Sequence, residues 1–294
     1  MQQKKIYALG FFDGVHLGHQ ALLKACRDLA DSAGLQAAAI TFDAHPQSLL
    51  TQDAPKLINT TADRVTLLKA FGMDSVRVLP VTGDVLSTPW ERFLAQLLEE
   101  NAVGFVCGRD FRFGHRGEGT AQKLSAWCQA KGLSCHIVDD RCLDGIRISS
   151  SHIRSLLESG DLERANRFLG HAHILTGEVV SGRGLGRTIG IPTANLHIPS
   201  TVTTPAHGVY ACLAETEGQN YMAVTNIGSR PTVGGHRITV EPWLLDLSGD
   251  LYGKPLTLRF EKFLRPEQKF DSLEELTAEI RKNAAQTREF FQKT

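Results

Sequence analysis

The sequence predicts two domains of different build: an α/β N-terminal half, with helices crossing over a parallel sheet, and an antiparallel β-barrel followed by a terminal helix. Three observations carry this expectation. A chain of 294 residues with 42% apolar content exceeds one ordinary domain and can bury two moderate cores. Up to about residue 140, short apolar runs alternate with stretches of helical spacing, the pattern of crossover connections. Beyond about residue 170, strand-like runs separated by turns take over.

In the first half the apolar runs at 6–9, 36–42, 76–81, 104–107 and 135–138 read as buried strands. Between them, 16–33, 62–71, 90–101 and 121–131 place apolar residues at i, i+3 and i+4 and read as helices. A further helix is expected over 149–169, with serines to cap its start and Gly170 to end it. The barrel strands are expected at 177–180, 208–214, 221–226, 238–246 and 256–260. A last helix covers 272–292, where Ser272 and Glu275 have capping-box spacing. The boundary falls at 170–175, giving domains 1–170 and 171–294, with no internal repeat.

Lysine plus arginine equal aspartate plus glutamate at 32 each, so nothing in the overall charge draws the chain to nucleic acid or to an anionic membrane. Any anion must be gripped locally. The six cysteines form no Cys-x-x-Cys pair and read as reduced or buried thiols. Met-Gln-Gln-Lys-Lys leads straight into a strand without the apolar stretch of a signal peptide or membrane span, so a cytoplasmic protein is expected, monomeric or weakly homo-oligomeric.

The chemistry first shows at Gly10 to Gln20, Gly-Phe-Phe-Asp-Gly-Val-His-Leu-Gly-His-Gln. The first strand runs into a glycine-flanked turn and a helix, so the helix N-terminus faces the carboxyl edge of the sheet, where α/β folds bind ligands. Its unpaired amides and positive dipole end attract phosphate, and His16 and His19, three apart, share one helical face. Gly18 lets a phosphate approach the backbone, and imidazole N–H donors suit a displacement at a nucleotide's α-phosphorus. An arbitrary His-x-x-His pair usually faces solvent or packs; Phe-Asp-Gly-Val and the strand-turn-helix setting reverse that reading. Neither Gly-x-Gly-x-x-Gly nor a Walker A sequence is present, and helical zinc sites use i, i+4 spacing.

Together with Thr41-Phe-Asp-Ala-His-Pro46, Gly108-Arg-Asp-Phe-Arg-Phe-Gly114 and Ile148-Ser-Ser-Ser-His-Ile-Arg154, these residues resemble the prokaryotic bifunctional riboflavin kinase/FMN adenylyltransferases, or FAD synthetases. The resemblance runs nearly end to end and implies a Rossmann-like nucleotidyltransferase domain followed by a riboflavin kinase barrel. It implies that Gly10, Phe12, Asp13, Gly14 and Gly18 line the ATP phosphates beside catalytic His16 and His19. Ser150, Ser151 and Arg154 then hold the triphosphate at a helix start. Asp110, Phe111 and Phe113 line a flavin and adenine pocket, where aromatic faces stack on planar rings.

In the second half, Gly182-Arg-Gly-Leu-Gly-Arg187 is a glycine-dense cationic loop of the kind that wraps phosphate, with Gly182, Gly184 and Arg187 as candidates. Pro192-Thr-Ala-Asn195 resembles the Mg²⁺–ATP segment of riboflavin kinases, and Thr193 and Asn195 offer oxygen ligands to that cation. Asn226-Ile-Gly-Ser-Arg-Pro-Thr232, Val240-Glu241 and Asp250-Leu-Tyr-Gly253 continue the likeness, with Glu241 matching the family's general base. Arg265 and the Phe270 region resemble a flap over the flavin.

The expected function is FAD synthesis: riboflavin and ATP give FMN, then FMN and a second ATP give FAD and pyrophosphate, with Mg²⁺ required. Two rivals stand beside it. A nucleotidyltransferase acting on another phosphorylated acceptor leaves Pro-Thr-Ala-Asn and Glu241 without a role. A flavin-binding regulatory protein with lost catalysis would bind flavin without turnover.

Overall fold

The computed structural model describes residues 3–49, 51, 53–182, 190–232 and 235–293. Its contacts divide into two units, Met1–Leu57 with Thr61–Ser150, and Ile58–Thr60 with Ser151–Thr294.

The first unit is built on strands β1 (Lys5–Leu9), β2 (Gln36–Phe42), β3 (Ser75–Leu79) and β4 (Ala102–Gly108). Two short hairpin strands, β5 (Arg112–Phe113) and β6 (Gly119–Thr120), precede β7 (Ser134–Val138), and β8 (Cys142–Leu143) pairs with β9 (Ile146–Arg147). The main sheet is parallel in the order β3-β2-β1-β4-β7. Both its faces are covered, which is why its strands read as continuous apolar runs. Tyr7, Leu9, Ile40 and Phe105 point to one face, against Leu94 and Leu97 of α4 (Trp90–Glu99) and Leu124 of α5 (Ala121–Ala130). Ile6, Ala8 and Val106 point to the other, against Leu22, Leu23 and Cys26 of α1 (Leu17–Ala33). Helices α2 (Thr61–Ala70) and α3 (Gly83–Ser87) complete the crossovers. Because the chain leaves central β1 on one side and returns as β4 on the other, the order reverses between them. The carboxyl ends of β1 and β4 therefore flank the crevice that open α/β sheets use for ligands.

The expected single helix over 149–169 is instead two, α6 (Ser150–Ser159) and α7 (Leu162–Leu169). Gly160 takes a left-handed φ of 85°, and the Asp161 carboxylate accepts the Arg164 N–H to start a new helix. Gly170, with φ 74°, ends α7 as expected, its N–H donating to Asn166 O at 2.8 Å.

The second unit is a closed barrel, β10 (His173–Val180), β11 (Asn195–His197), β14 (Gly235–Leu244), β13 (Gln219–Thr232), β12 (Gly208–Thr216) and β15 (Pro255–Arg265), in that spatial order. Every pairing in it is antiparallel. Leu175, Val179, Tyr210, Ile227, Val240, Leu258 and Phe260 are buried. Asn166 of α7 ties two strands together, accepting from His173 N and donating to Phe260 O, both at 2.8 Å. The terminal helix α8 (Leu273–Lys293) packs Ala284 with Val209, Val224 and Leu245. Its capping box is shifted by one residue: Ser272 Oγ accepts from Glu275 N, while the Glu275 carboxylate accepts from Asp271 N.

All six cysteines are free thiols, four of them buried. Among the described residues no helix is long and apolar enough to cross a membrane.

Candidate functional site

Strand β1 ends in a turn whose backbone is strained. Phe12 (φ 60°), Gly14 (φ 78°) and Val15 (φ 41°) are all left-handed, a conformation that a β-branched residue rarely takes. Such strain persists where the surroundings over-determine it, and it gathers at functional sites. Here the surroundings are visible. Thr41 Oγ1 donates to Phe11 O at 2.6 Å, and Gln20 Nε2 donates to Val15 O at 2.9 Å. Ser150 Oγ donates to Asp13 O at 2.9 Å, tying the start of α6 to the turn. Gly10 is required by contact: a Cβ there would lie 2.9 Å from Phe12 Cζ.

The turn delivers His16 as N-cap of α1, its Nδ1 accepting the His19 N–H at 3.3 Å. In neutral His16 that bond assigns the remaining proton to Nε2. The two imidazoles stack, with centroids 3.6 Å apart and planes 12° from parallel. Burial foremost, then His16 and Arg64 beside it, hold His19 well below the ordinary histidine range, so it is neutral at pH 7. Its Nδ1 has no protein partner. The Phe12 ring is fully buried and meets His19 edge-on at 5.3 Å, so its side chain supports His19 and only its backbone faces the turn. Asp13 and Gly14 are buried in the turn, and Gly18 lies against the His16 ring, where a Cβ would approach within 3.2 Å. Ser151 and Arg154 follow Ser150 on α6 and count with the second unit.

The loop after β4 reaches the same carboxyl edge. Asp110 is held by Arg147 at 2.6 Å, and Arg147 also pairs with Asp140 at 3.0 Å. Phe111 and Phe113 stack at 5.3 Å, but their surroundings differ. Phe113 is 7% exposed and packs edge-on against Trp90, a core position, whereas Phe111 is only half-buried.

In the barrel, register assembles a second set of residues. Asn226 of β13 faces Glu241 of β14, and Leu196 of β11 faces Val240, which sets Asn195 across from Glu241 one step along. Asn226, Glu241 and Asn195 thus form a row over three neighbouring strands. Their strand neighbours Ile227, Val240 and Leu196 are buried inside the barrel, so the row lies on the outer face. Gly182 closes one end: a Cβ there would lie 2.1 Å from Asn195 Nδ2. Thr193 borders a cleft of about 60 Å³ walled by Val179, Pro192, Leu244, Leu247 and the 249–252 segment. Gly184 and Arg187 lie outside the described residues. No group of three or more His, Cys, Asp or Glu among the described residues is placed to hold a metal. The side-chain oxygens of Thr193 and Asn195 suit a hard cation that draws its other ligands from phosphate and water.

Arg265 is anchored from several sides. It donates to Asn283 Oδ1 and Pro266 O, each at 3.1 Å, lies 3.5 Å from Glu279, and stands 5.6 Å over the Phe270 ring.

Sequence reasoning missed Arg64. Its signal was an arginine four residues before Leu68 on the buried face of α2, a place where a solvated side chain does not belong.

Residues 1–152 match the family model described as FAD synthetase, and residues 169–291 the one described as riboflavin kinase. A bifunctional riboflavin kinase/FMN adenylyltransferase of Listeria monocytogenes is 34% identical over 293 residues, spanning 98% of this chain and 93% of its own. The Escherichia coli K12 protein of the same description is 36% identical over 294 residues, spanning 99% and 94%. A solved structure from Streptococcus pneumoniae, described as a macrolide-efflux protein, superposes with TM-score 0.85 at 30% identity and covers 98% of this chain and 95% of that one.

Proposed function

The chain belongs to the bifunctional riboflavin kinase/FMN adenylyltransferase family, and from that premise we propose that it makes FAD from riboflavin in two steps at two separate sites. The observation that carries the reading is the pair of phosphate-handling arrangements, one in each unit: the strained turn bearing the stacked His16 and His19, and the Asn226–Glu241–Asn195 row.

In the barrel the ribityl 5′-hydroxyl of riboflavin attacks the γ-phosphorus of ATP. Glu241 accepts the hydroxyl proton as the new P–O bond forms and the bond to ADP breaks. Thr193 and Asn195 would hold Mg²⁺, which when bound would neutralise phosphate charge. Gly182, Gly184 and Arg187 wrap the phosphates, and Arg265 borders the flavin.

In the first unit an oxygen of the FMN phosphate attacks the α-phosphorus of ATP, and pyrophosphate leaves as the α–β bridge breaks. That nucleophile arrives as an anion and needs no base; the site must supply donors. Neutral His19, the Nε2–H of His16 and the amides at the start of α1 are such donors, spared the repulsion of two stacked cations. Ser150 joins as the clamp on Asp13, and Asp110 and Phe111 form the flavin side, with Phe113 stacked behind Phe111. The two catalytic parts divide near residue 170, and the enzyme works in the cytoplasm as a monomer or weak homo-oligomer.

The test is to separate flavins chromatographically after incubation with ATP and Mg²⁺. His19→Ala abolishes FAD formation and leaves FMN formation, and Glu241→Ala stops riboflavin phosphorylation but not FAD formation from supplied FMN. Loss of both activities by either folded variant contradicts the two-site reading.

A further inference from the structure

Among the described residues Arg64 heads the fully buried side chains by size, at 0% exposure, and it lies on α2 next to the turn that leads into His16. Its Nη2 donates to Phe42 O at the end of β2 and lies 3.4 Å from Thr61 Oγ1, which itself donates to Asp43 O. Its guanidinium carbon stands 4.5 Å over the Phe11 ring, whose edge meets His45 at 5.2 Å. One side chain thereby fixes the ends of β1 and β2 and the start of α2 against each other. Its Nε and Nη1 have no hydrogen-bond partner. Asp13 and Asp43 are near enough to favour its charge, while burial opposes it more strongly.

A guanidinium remains charged in proteins, and leaving its N–H groups unpaired in the interior is expensive. Packing alone does not explain that expense, since a neutral side chain of the same length fills the space. A polyanionic ligand does explain it, because a buried positive charge acts on phosphate through low dielectric and is little screened by salt. We propose that Arg64 is a positioning residue of the adenylyl-transfer site, a fixed buried charge that sets the turn through Phe11 and Phe42 and draws the substrates' phosphate groups to it.

The proposal rests on adenylyl transfer by the first unit, and riboflavin phosphorylation by the same full-length chain serves as the internal control. Arg64→Met keeps the length and removes the charge; Arg64→Lys keeps a charge and loses the fork. The rate of FAD formation is measured with ATP and FMN varied separately. For Arg64→Met the expected result is a fall of at least thirtyfold in kcat/KM, carried by a higher KM for one or both substrates, with riboflavin phosphorylation within twofold of wild type. The substrate whose KM rises identifies the phosphate concerned. Arg64→Lys recovers at least tenfold of the loss. Three results overturn the proposal: Arg64→Met within threefold of wild type, a fall in kcat at unchanged KM values, or equal impairment of the Met and Lys variants. Should Arg64→Met not fold, Arg64→Lys decides: KM values within threefold of wild type support the role of charge, and a tenfold rise refutes it. Absence of FAD formation by the wild type would sink the underlying activity instead, so the two failures are distinct.

Discussion

Replacing Gly10 by alanine tests whether the strained turn is held by contact or merely tolerates it. The added methyl would lie 2.9, 3.1 and 3.2 Å from Phe12 Cζ, Cε1 and Cε2, all inside the 3.4 Å at which ordinary contact begins. The ring cannot swing into solvent, because Phe12 is fully buried, its φ is already 60°, and its edge rests on His19 at 5.3 Å. Relief therefore moves the ring and His19 together by a few tenths of an ångström. Overpacking of this kind costs about 1–3 kcal/mol. Because a misplacement of about 1 Å costs roughly a hundredfold in rate, a shift of a few tenths predicts a loss of roughly 4- to 10-fold in FAD formation. The assay is the rate of FAD formation from supplied FMN, with riboflavin phosphorylation as the control for folding. Gly34→Ala is the comparison: its φ of 65° is also left-handed, but nothing lies within 4 Å of the new methyl. It should lower stability by about 1 kcal/mol without slowing FAD formation. A Gly10→Ala enzyme that forms FAD within twofold of wild type would refute the steric argument.

Three other perturbations follow from the same geometry. Gly182→Ala would place a methyl 2.1 Å from Asn195 Nδ2 and is expected to reduce FMN formation at least tenfold, with FAD formation from FMN unchanged in the same preparation. His173 is fully buried with both ring nitrogens unpartnered, and burial lowers its pKa to about 3. Its neutral form is the folded one, so stability is complete above the unfolded pKa of about 6.5 and falls as pH drops toward 3, by up to about 5 kcal/mol; urea titrations at pH 7 and pH 4.5 should show a smaller difference for His173→Leu than for wild type. Asp161→Ala removes the cap that begins α7 and should cost about 1 kcal/mol in urea unfolding, a loss that Asp161→Asn largely avoids.

The readability of the chain followed the length and one-sidedness of its signals. Strands of the parallel sheet were plain because residues such as Ala37 to Ile40 are buried on both faces and leave an unbroken apolar run. The helix break at Gly160 was hidden because α6 and α7 both carry apolar residues at helical spacing, and one glycine in such a pattern does not by itself announce a stop. Strand β11 has three residues, too few for a period of two to show. At the sites, His16 and His19 were legible because they share one helix turn. What assembles around them is not local: Arg64 reaches Phe11 and Phe42 through tertiary packing, and an arginine in a helix ordinarily reads as solvated.

The two sites also differ in the kind of order that builds them, and this follows from what each nucleophile needs. In the proposed reaction the hydroxyl must lose a proton, and strand register places the Glu241 carboxylate between two amides, pairing with β13 and β11 fixing it from both sides. A phosphate oxygen is already an anion, so the first site needs oriented donors and positive charge with no proton acceptor. Backbone amides and imidazole N–H groups provide donors only when the chain is bent to aim them, and the left-handed Phe12, Gly14 and Val15 are that bend. Strain that would destabilise an ordinary loop is offset by the hydrogen bonds from Thr41, Gln20 and Ser150. On this argument, conservative changes at those three hydroxyl or amide side chains should slow FAD formation without touching the phosphates themselves, because each holds the backbone that does.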